Sequence, residues 1–229
     1  MNEEIFKGIA AQLRQPSGDY AIQVGEKMNE GNRHINISTI EALDLKKGDN
    51  ILEIGMGNGF FVKDIVLAAN TIRYTGCDYS EIMVEEATKQ NEQFVKTGQV
   101  QFYLTSADHL NFKNETFDKV FSVNTIYFWD NHESIFSEIW RVLKPKGQLI
   151  LSIRPRAVME HYPFVKYGFQ MFSKNELSIL VAESNFKVIT TIEKEEPEQE
   201  INGEKMAVET LIICAEKIML ADILIDPPD

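Results

Sequence analysis

One segment constrains the fold more than any other: a short apolar strand, residues 50–54, runs directly into glycines at positions 55, 57 and 59. Glycines at such a junction let the backbone turn tightly and approach a ligand without a Cβ atom in the way. In open α/β sheets, ligands bind in the crevice beyond the carboxyl ends of the strands, which is where this loop is expected. The segment therefore predicts a ligand-binding loop between a buried strand and a helix.

From residue 50 onward, strand-like and helix-like patterns alternate along the chain. Strand-like runs cover residues 50–54, 74–77, 100–104, 119–123, 147–153, 187–193 and 209–216, and helix-like runs cover residues 60–69, 81–96 and 132–143. Strands that alternate with helices of this length predict a mostly parallel sheet with helices on both faces.

The residues before this alternation have a helical pattern. Apolar residues recur at a spacing of four over residues 5–13, and further helical patterns cover residues 19–29 and 35–43. We therefore predict a helical N-terminal extension over residues 1–47, an α/β core over residues 48–217 and a C-terminal tail over residues 218–229.

Two local signals mark the last third of the chain. Ser173 followed by Glu176 has the spacing of a capping box, which predicts the start of a helix. The acidic run Glu195–Glu200 lies between two strand-like runs, and we interpret it as a solvated turn.

Composition narrows the class of partner. The formal net charge is −12, which disfavours a general affinity for nucleic-acid backbones, since that requires clustered Lys and Arg. The first ten residues are acidic, unlike a signal peptide, and no apolar run approaches the roughly 18 residues that a membrane span needs. The four His and the buried-type Cys77 and Cys214 have no metal-ligand spacing. We expect a cytoplasmic protein without a metal, nucleic-acid or membrane partner.

The glycine spacing and Glu53 indicate the class of cofactor. A dinucleotide site requires G-x-G-x-x-G, whereas here the glycines fall at 55, 57 and 59 and are followed by Phe60. A carboxylate at position 53 would repel a pyrophosphate and attract a cationic sulfonium or ammonium group. The pattern therefore favours a positively charged nucleoside over NAD.

From Glu53 to Gly59 the sequence resembles the first motif of the class I S-adenosylmethionine-dependent methyltransferases, E/D-x-G-x-G-x-G. Further matches follow in the family's order over residues 76–80, 106–110, 117–122 and 138–147. The last of these turns usually has two glycines in the family, and here Lys146 replaces the first. The resemblance covers residues 48–155.

The resemblance implies an α/β fold, a Rossmann-like three-layer α/β/α sandwich with a mostly parallel seven-stranded sheet, and S-adenosylmethionine as the cofactor. Asp78 is expected to accept hydrogen bonds from both ribose hydroxyls, because an ionised carboxylate can accept from two donors. Asp108 is expected at the adenine amino group, and Asn124 at the methionine end. The full set of expected cofactor contacts is Glu53, Gly55, Gly57, Gly59, Asp78, Tyr79, Met83, Ala107, Asp108 and Asn124.

The sequence carries fewer signals for the binding site of the methyl acceptor than for that of the cofactor. Methyl transfer from a sulfonium mainly requires alignment and exclusion of water, so no base motif needs to be visible, and we assign no catalytic residue. Residues 125–130 lack the Asn/Asp-Pro-Pro-Tyr/Phe pattern with which some family members bind amino nitrogens. The substrate-binding candidates, with His161 as a candidate general base, are Tyr127, Trp129, Arg154, His161 and Tyr162. Core packing of the aromatic residues and a surface position for His161 remain the alternatives.

These observations favour a monomeric or homodimeric enzyme that methylates a small-molecule substrate. The alternatives are a protein or RNA methyltransferase and a non-catalytic S-adenosylmethionine-binding protein. Residues 25–33 resemble the lid segments of small-molecule methyltransferases, and simple packing of this helix on the sheet is the competing interpretation.

Overall fold

The computed structural model describes residues 3–69, 71–201 and 203–219. Its strands are β1 (Asn50–Ile54), β2 (Arg73–Asp78), β3 (Val100–Leu104), β4 (Phe117–Val123), β5 (Leu143–Ile153), β6 (Phe186–Ile201) and β7 (Glu204–Lys217). They form one seven-stranded sheet in the order β3-β2-β1-β4-β5-β7-β6. The pairs from β3 to β5 are parallel, and β7 runs antiparallel to both β5 and β6. The prediction of a mostly parallel seven-stranded sheet is confirmed.

Helices precede, cover and connect the strands. They are α1 (Glu3–Arg14), α2 (Ala21–Gly31), α3 (Arg33–Ala42), α4 (Val62–Ala68), α5 (Glu81–Gln90), α6 (Glu92–Lys96), α7 (His132–Val142), α8 (Arg156–Met159) and α9 (Lys174–Glu183). The N-terminal region is therefore helical, as the periodicity predicts. The single helix expected over residues 81–96 is divided at Asn91, whose side chain donates to the carbonyl oxygens of Ala87 and Gly59, both at 3.0 Å.

Two apolar clusters lie on opposite faces of the sheet. In β5, Leu149 and Leu151 belong to one cluster, and Ile150 between them belongs to the other. The first cluster includes residues of α7 and α9, and the second includes residues of α3 and α4. Because successive strand residues point to opposite faces, the two clusters establish three layers. Burial on both faces also explains why the central strands have continuous apolar sequences.

The interpretation of Glu195–Glu200 as a solvated turn is wrong. These residues belong to β6, which pairs with β7 as far as Ile201 opposite Glu204. Pro197 lies where the register shifts, and β6 is an edge strand, where proline is tolerated at a bulge. The overlooked signal is Asn202-Gly203, the dipeptide that most strongly favours a two-residue hairpin turn.

The β6–β7 hairpin extends beyond the rest of the sheet. Pairing between β5 and β7 ends with Ile153 opposite Leu211, whereas β6 and β7 continue as a two-stranded extension. We call residues 194–201 and 204–210 the β-arm. At about 3.3 Å per residue, the arm reaches about 20 Å past the carboxyl end of β5. It therefore lies at the edge of the sheet where ligands of this architecture bind.

Smaller features complete the fold. The capping box is confirmed at the start of α9, where Ser173 and Glu176 exchange side-chain and backbone hydrogen bonds. Cys77 is buried and Cys214 is half-buried; both are free thiols. Within the described ranges, no helix has the length and apolarity to cross a membrane, and no cluster of metal-ligating side chains is found. Of the predicted tail, residues 220–229 lie outside the described part of the chain.

Candidate active site

The glycine loop follows β1 and is built on left-handed backbone. Gly55, Gly57 and Gly59 have φ angles of 75°, 56° and 67°. A Cβ atom at position 55 would lie 2.2 Å from Thr125 Cγ2, and one at position 59 would lie 2.9 Å from Ala87 Cβ. At position 57 a Cβ atom would meet nothing within 4 Å. Gly55 and Gly59 thus permit close packing of the loop, whereas the backbone at Gly57 faces open space.

Asp78, at the end of β2, fixes the backbone of Gly57 by accepting its N–H. Its Oδ2 accepts from the Gly57 N–H at 3.0 Å, and its Oδ1 accepts from the Ser80 N–H at 2.9 Å. Burial raises the pKa of Asp78, and the hydrogen bonds from Ser80 and Gly57 oppose that rise. A carboxylate has about four lone-pair positions, and the backbone of Tyr79 interacts with this carboxylate as well, so capacity for a further donor remains. This fits a ligand that presents neighbouring hydroxyl groups.

Glu53 is a buried acid beside the loop. Its side chain accepts a hydrogen bond from the Tyr74 hydroxyl inside the second apolar cluster. Burial raises the pKa of Glu53 to about 7, although the bond from Tyr74 acts in the opposite direction. A cationic ligand group nearby would favour the charged carboxylate. The site thus fits the cationic end of S-adenosylmethionine.

A cavity lies between the loop and the N-terminal helices. It is lined by Gly25, Met28, Asn29, Asn32, Asn36, Glu53, Gly55, Met56, Gly57, Asn58, Gly59, Phe61, Met83 and Val123. Five of the sequence-predicted cofactor residues are in this set, namely Glu53, the three glycines and Met83. Sequence reasoning missed Met56 and Asn58, although both occupy variable positions of the glycine motif that it identified.

Residues 25–33, which include the end of α2, cover the cavity. Gly25 packs so closely that a Cβ atom there would lie 3.3 Å from both Asn58 Nδ2 and Met83 Sδ. Met28, Asn29 and Asn32 also line the cavity. The predicted lid segment is therefore in contact with the predicted cofactor loop.

The end of α1 and the segment that follows it are hydrogen-bonded to the loop after β2. The Tyr79 hydroxyl donates to the Arg14 carbonyl oxygen at 2.6 Å, and the Ser80 hydroxyl donates to that of Pro16 at 2.5 Å. Arg14 also forms an ion pair with Asp130, which follows β4. These contacts connect the N-terminal extension to two loops at the carboxyl edge of the sheet.

The remaining cofactor candidates lie at different distances from the cavity. Asn124 adjoins it, since its Nδ2 donates to Asn32 Oδ1 at 3.2 Å, and it has a left-handed φ of 55°. Ala107 is half-buried and Asp108 is exposed, and neither lines the cavity. Contact with the cofactor stays a prediction for Ala107 and Asp108, as it does for the candidates that line or adjoin the cavity.

The aromatic acceptor candidates after β4 are packed in the core. Tyr127 is 1% exposed, and its hydroxyl accepts from the Arg154 N–H at 2.7 Å and donates to the Arg154 carbonyl oxygen at 2.8 Å. Trp129 is buried against Phe136. The structure thus places both residues in packing roles, with the Tyr127 hydroxyl already bonded.

The candidates after β5 separate into buried and exposed positions. His161 is exposed, and Tyr162 is half-buried with its hydroxyl 3.3 Å from Gln199 Oε1. Arg154 is buried and forms an ion pair with Glu196 of the β-arm at 3.0 Å. The sequence analysis did not select Glu196 as a candidate because it interpreted the acidic run around this residue as a solvated turn.

Comparison with known proteins decides the family. The sequence model of the family described as "Methyltransferase domain" matches residues 52–151. The "Uncharacterized methyltransferase YdaC" of Bacillus subtilis (strain 168) is 30% identical over 132 residues, which span 58% of this chain and 71% of that relative. The chain belongs to the class I S-adenosylmethionine-dependent methyltransferases.

Other relatives of this methyltransferase have wider coverage and lower identity. The O-methyltransferase rstn1 of Aspergillus nomiae is 27% identical over 157 residues, which span 65% of this chain and 69% of that one. A solved phosphoethanolamine N-methyltransferase of Haemonchus contortus, in complex with S-adenosylhomocysteine, matches with a TM-score of 0.70 at 16% identity. That match covers 93% of this chain and 61% of the other, and it shows a shared fold. S-adenosylmethionine is accordingly the cofactor of this enzyme.

The glycine loop yields a matched pair of substitutions. Gly55→Ala should destabilise the fold strongly, because the new Cβ meets Thr125 in a left-handed backbone. Gly57→Ala should lower the unfolding free energy by only about 1–2 kcal/mol, because the positive φ is its one source of strain. It should nevertheless weaken cofactor binding at least tenfold, since the new methyl group faces the cavity. Chemical denaturation and calorimetric titration with S-adenosylhomocysteine measure the two effects. Normal binding by Gly57→Ala would contradict the loop assignment.

Asp78→Ala should weaken cofactor binding by about 1–3 kcal/mol through lost charge-assisted hydrogen bonds. Glu85→Ala, which removes an exposed acid of α5, is the matched control and should bind normally. Calorimetric titration of both variants with S-adenosylhomocysteine tests the ribose role. Equal affinities for the two variants would refute it.

The raised pKa of Glu53 predicts a pH-dependent stability. The folded protein holds a proton on Glu53 up to about pH 7, whereas the unfolded chain releases it near 4.5. The stabilisation linked to this proton is therefore present at low pH and lost as the pH rises through 7. Relative to wild type, Glu53→Gln should gain about 2 kcal/mol of unfolding free energy between pH 5 and pH 8. Urea unfolding at both pH values measures this, and a constant difference would contradict the prediction.

Proposed function

We propose that this enzyme transfers the methyl group of S-adenosylmethionine to a small-molecule acceptor by in-line displacement. When bound, the cofactor supplies a methyl group on a positively charged sulfur. Glu53, the glycine loop and Asp78 would hold its cationic and ribose parts, and Asn124 would adjoin its methionine end. These residues would bind and orient the cofactor, and the acceptor itself would supply the nucleophile.

The observation that carries the choice of a small molecule is that the chain covers the carboxyl edge of its sheet near Arg154, where we expect the acceptor to bind. Arg154 at the end of β5 donates to the Gly31 carbonyl oxygen at 2.7 Å and to Glu196 of the β-arm at 3.0 Å. The end of α2 and the β-arm thus meet above the carboxyl edge of the sheet. A protein or RNA acceptor would need an open groove there. The net charge of −12 and the similarity to a relative named an O-methyltransferase support the same choice.

We further infer that α1, α2 and α3 act as a lid. The cavity, which α2 and α3 line, has a volume of about 50 Å³. Typical small-molecule sites measure about 300–1,000 Å³, so the helices have to move for a nucleoside to enter. Hydrogen bonds from Tyr79 and Ser80 to Arg14 and Pro16 would guide the return of the segment, since they join it to the loop after β2.

The proposed function is tested by titration followed by transfer assays. S-adenosylmethionine and S-adenosylhomocysteine should bind in calorimetry, whereas NAD should not. With the methyl group isotopically labelled, label should pass to members of a panel of phenols, enols and carboxylic acids, and transfer should fall at least tenfold in Asp78→Ala. Cofactor binding with transfer only to protein or RNA would overturn the small-molecule proposal, and binding with no transfer to any acceptor would favour the non-catalytic alternative.

A further inference from the structure

We propose that Arg154, positioned by the β-arm, binds a delocalised oxyanion of the methyl acceptor, such as a carboxylate or the enolate of a 1,3-dicarbonyl compound. The inference rests on the proposed methyl transfer and specifies the class of acceptor.

The first support is the position of Arg154 beside the cofactor cavity. Its backbone N–H lies 3.2 Å from Asn124 Oδ1, at the ends of two central strands. Its Nη1 lies 3.4 Å from Oδ1 of Asn32, which lines the cavity. A guanidinium group is thus placed at the end of the site where Asn124 is expected to meet the methionine part of the cofactor.

The second support is unused hydrogen-bonding capacity. The side chain of Arg154 is 8% exposed, and its Nη2 donates to Gly31 and Glu196. Its Nε–H is buried and has no hydrogen-bond partner. An unpaired buried donor on a charged group is costly, so a ligand oxygen that accepts from it would recover a penalty already present in the fold.

The third support is the way Glu196 holds the guanidinium. One carboxylate oxygen accepts from Arg154, and the other accepts from the Thr210 hydroxyl at 2.6 Å. The Arg154–Glu196 ion pair is therefore monodentate: it lacks the two parallel hydrogen bonds of a bidentate arginine–carboxylate contact. Glu196 fixes the side chain and leaves its Nε edge for another acceptor.

The β-arm is shaped to provide this contact. The register shift at Pro197 lets Glu196 and Gln199, three residues apart, both point inward, where a regular strand would place them on opposite faces. Bulges of this kind redirect side chains next to active sites. On the same side, Ile201 packs with Val158 in a small apolar cluster. A cation beside an apolar surface suits an acceptor with an apolar body and one anionic group.

The chemistry of transfer agrees with an acceptor that is already ionised. Tyr127 has its hydroxyl bonded to the Arg154 backbone, His161 is exposed, and burial raises the pKa of Tyr162, the tyrosine that interacts with Arg154 and Glu196. A delocalised oxyanion needs no base: one oxygen binds Arg154, and a lone pair of the other nucleophilic atom forms the bond to the methyl carbon. The carbon–sulfur bond breaks, its electron pair stays on sulfur, and the two opposite charges cancel.

The test uses salicylate and its neutral analogue salicylamide, titrated into the whole 229-residue chain saturated with S-adenosylhomocysteine. Wild type should bind salicylate at least tenfold more tightly than salicylamide. Arg154→Gln should lose this preference while it remains folded and still binds S-adenosylhomocysteine. The matched control is Arg156→Gln, which removes a half-exposed arginine paired with Glu176 and should keep the preference.

A second variant keeps the arginine and guards against misfolding of Arg154→Gln. Glu196→Gln retains an acceptor oxygen for Arg154 and removes the competing charge, so it should bind salicylate severalfold more tightly than wild type. Equal binding of the two probes, binding of neither, or weaker salicylate binding by folded Glu196→Gln overturns the proposal. Failure of wild type to bind S-adenosylhomocysteine would instead refute the proposed function, so the two failures are distinguishable.

Discussion

The site depends on the close packing of the glycine loop against the elements behind it. Gly55 lies against Thr125 and Gly59 against Ala87, with no room for a Cβ atom at either position. This packing directs the chain from β1 into α4 so that the amide of Gly57 faces the Asp78 carboxylate. The loop, the end of β2 and the covering helix α2 then enclose one cavity. A side chain at either packed position would separate these parts.

Electrostatics imposes a second constraint on the same region. Glu53 is buried in the protein interior, and burial raises the pKa of both Glu53 and Asp78. Two neighbouring acids in a region of low polarity oppose the folding of the chain near neutral pH. On the proposed function, a cationic cofactor would offset that cost when it binds. Around Arg154 the sign of the charge is reversed, because this buried cation keeps an unpaired hydrogen-bond donor.

Much of the candidate cofactor site could be predicted from local sequence, because each of its elements carries a short-range signal. The strand and glycines around residue 55 and the acid at position 78 mark loops whose conformations are decided by adjacent residues. The contacts around Arg154 could not be predicted in this way. Glu196 belongs to an acidic run that the sequence analysis interpreted as a solvated turn. Only the pairing of β6 with β7 reveals that Pro197 forms a bulge and that Glu196 points inward.

The sequence by itself determined the sheet, the order of its strands along the chain, the place of the glycine loop and the capping box of α9, since hydrophobic periodicity and turn chemistry act over a few residues. The tertiary structure alone decided which distant residues meet. Arg154 contacts Gly31 and Glu196, which are separated from it by 123 and 42 positions in the chain. It also showed that Tyr127 and Trp129 pack inside the protein. Such contacts depend on how whole elements are arranged in space, which no local pattern of residues specifies.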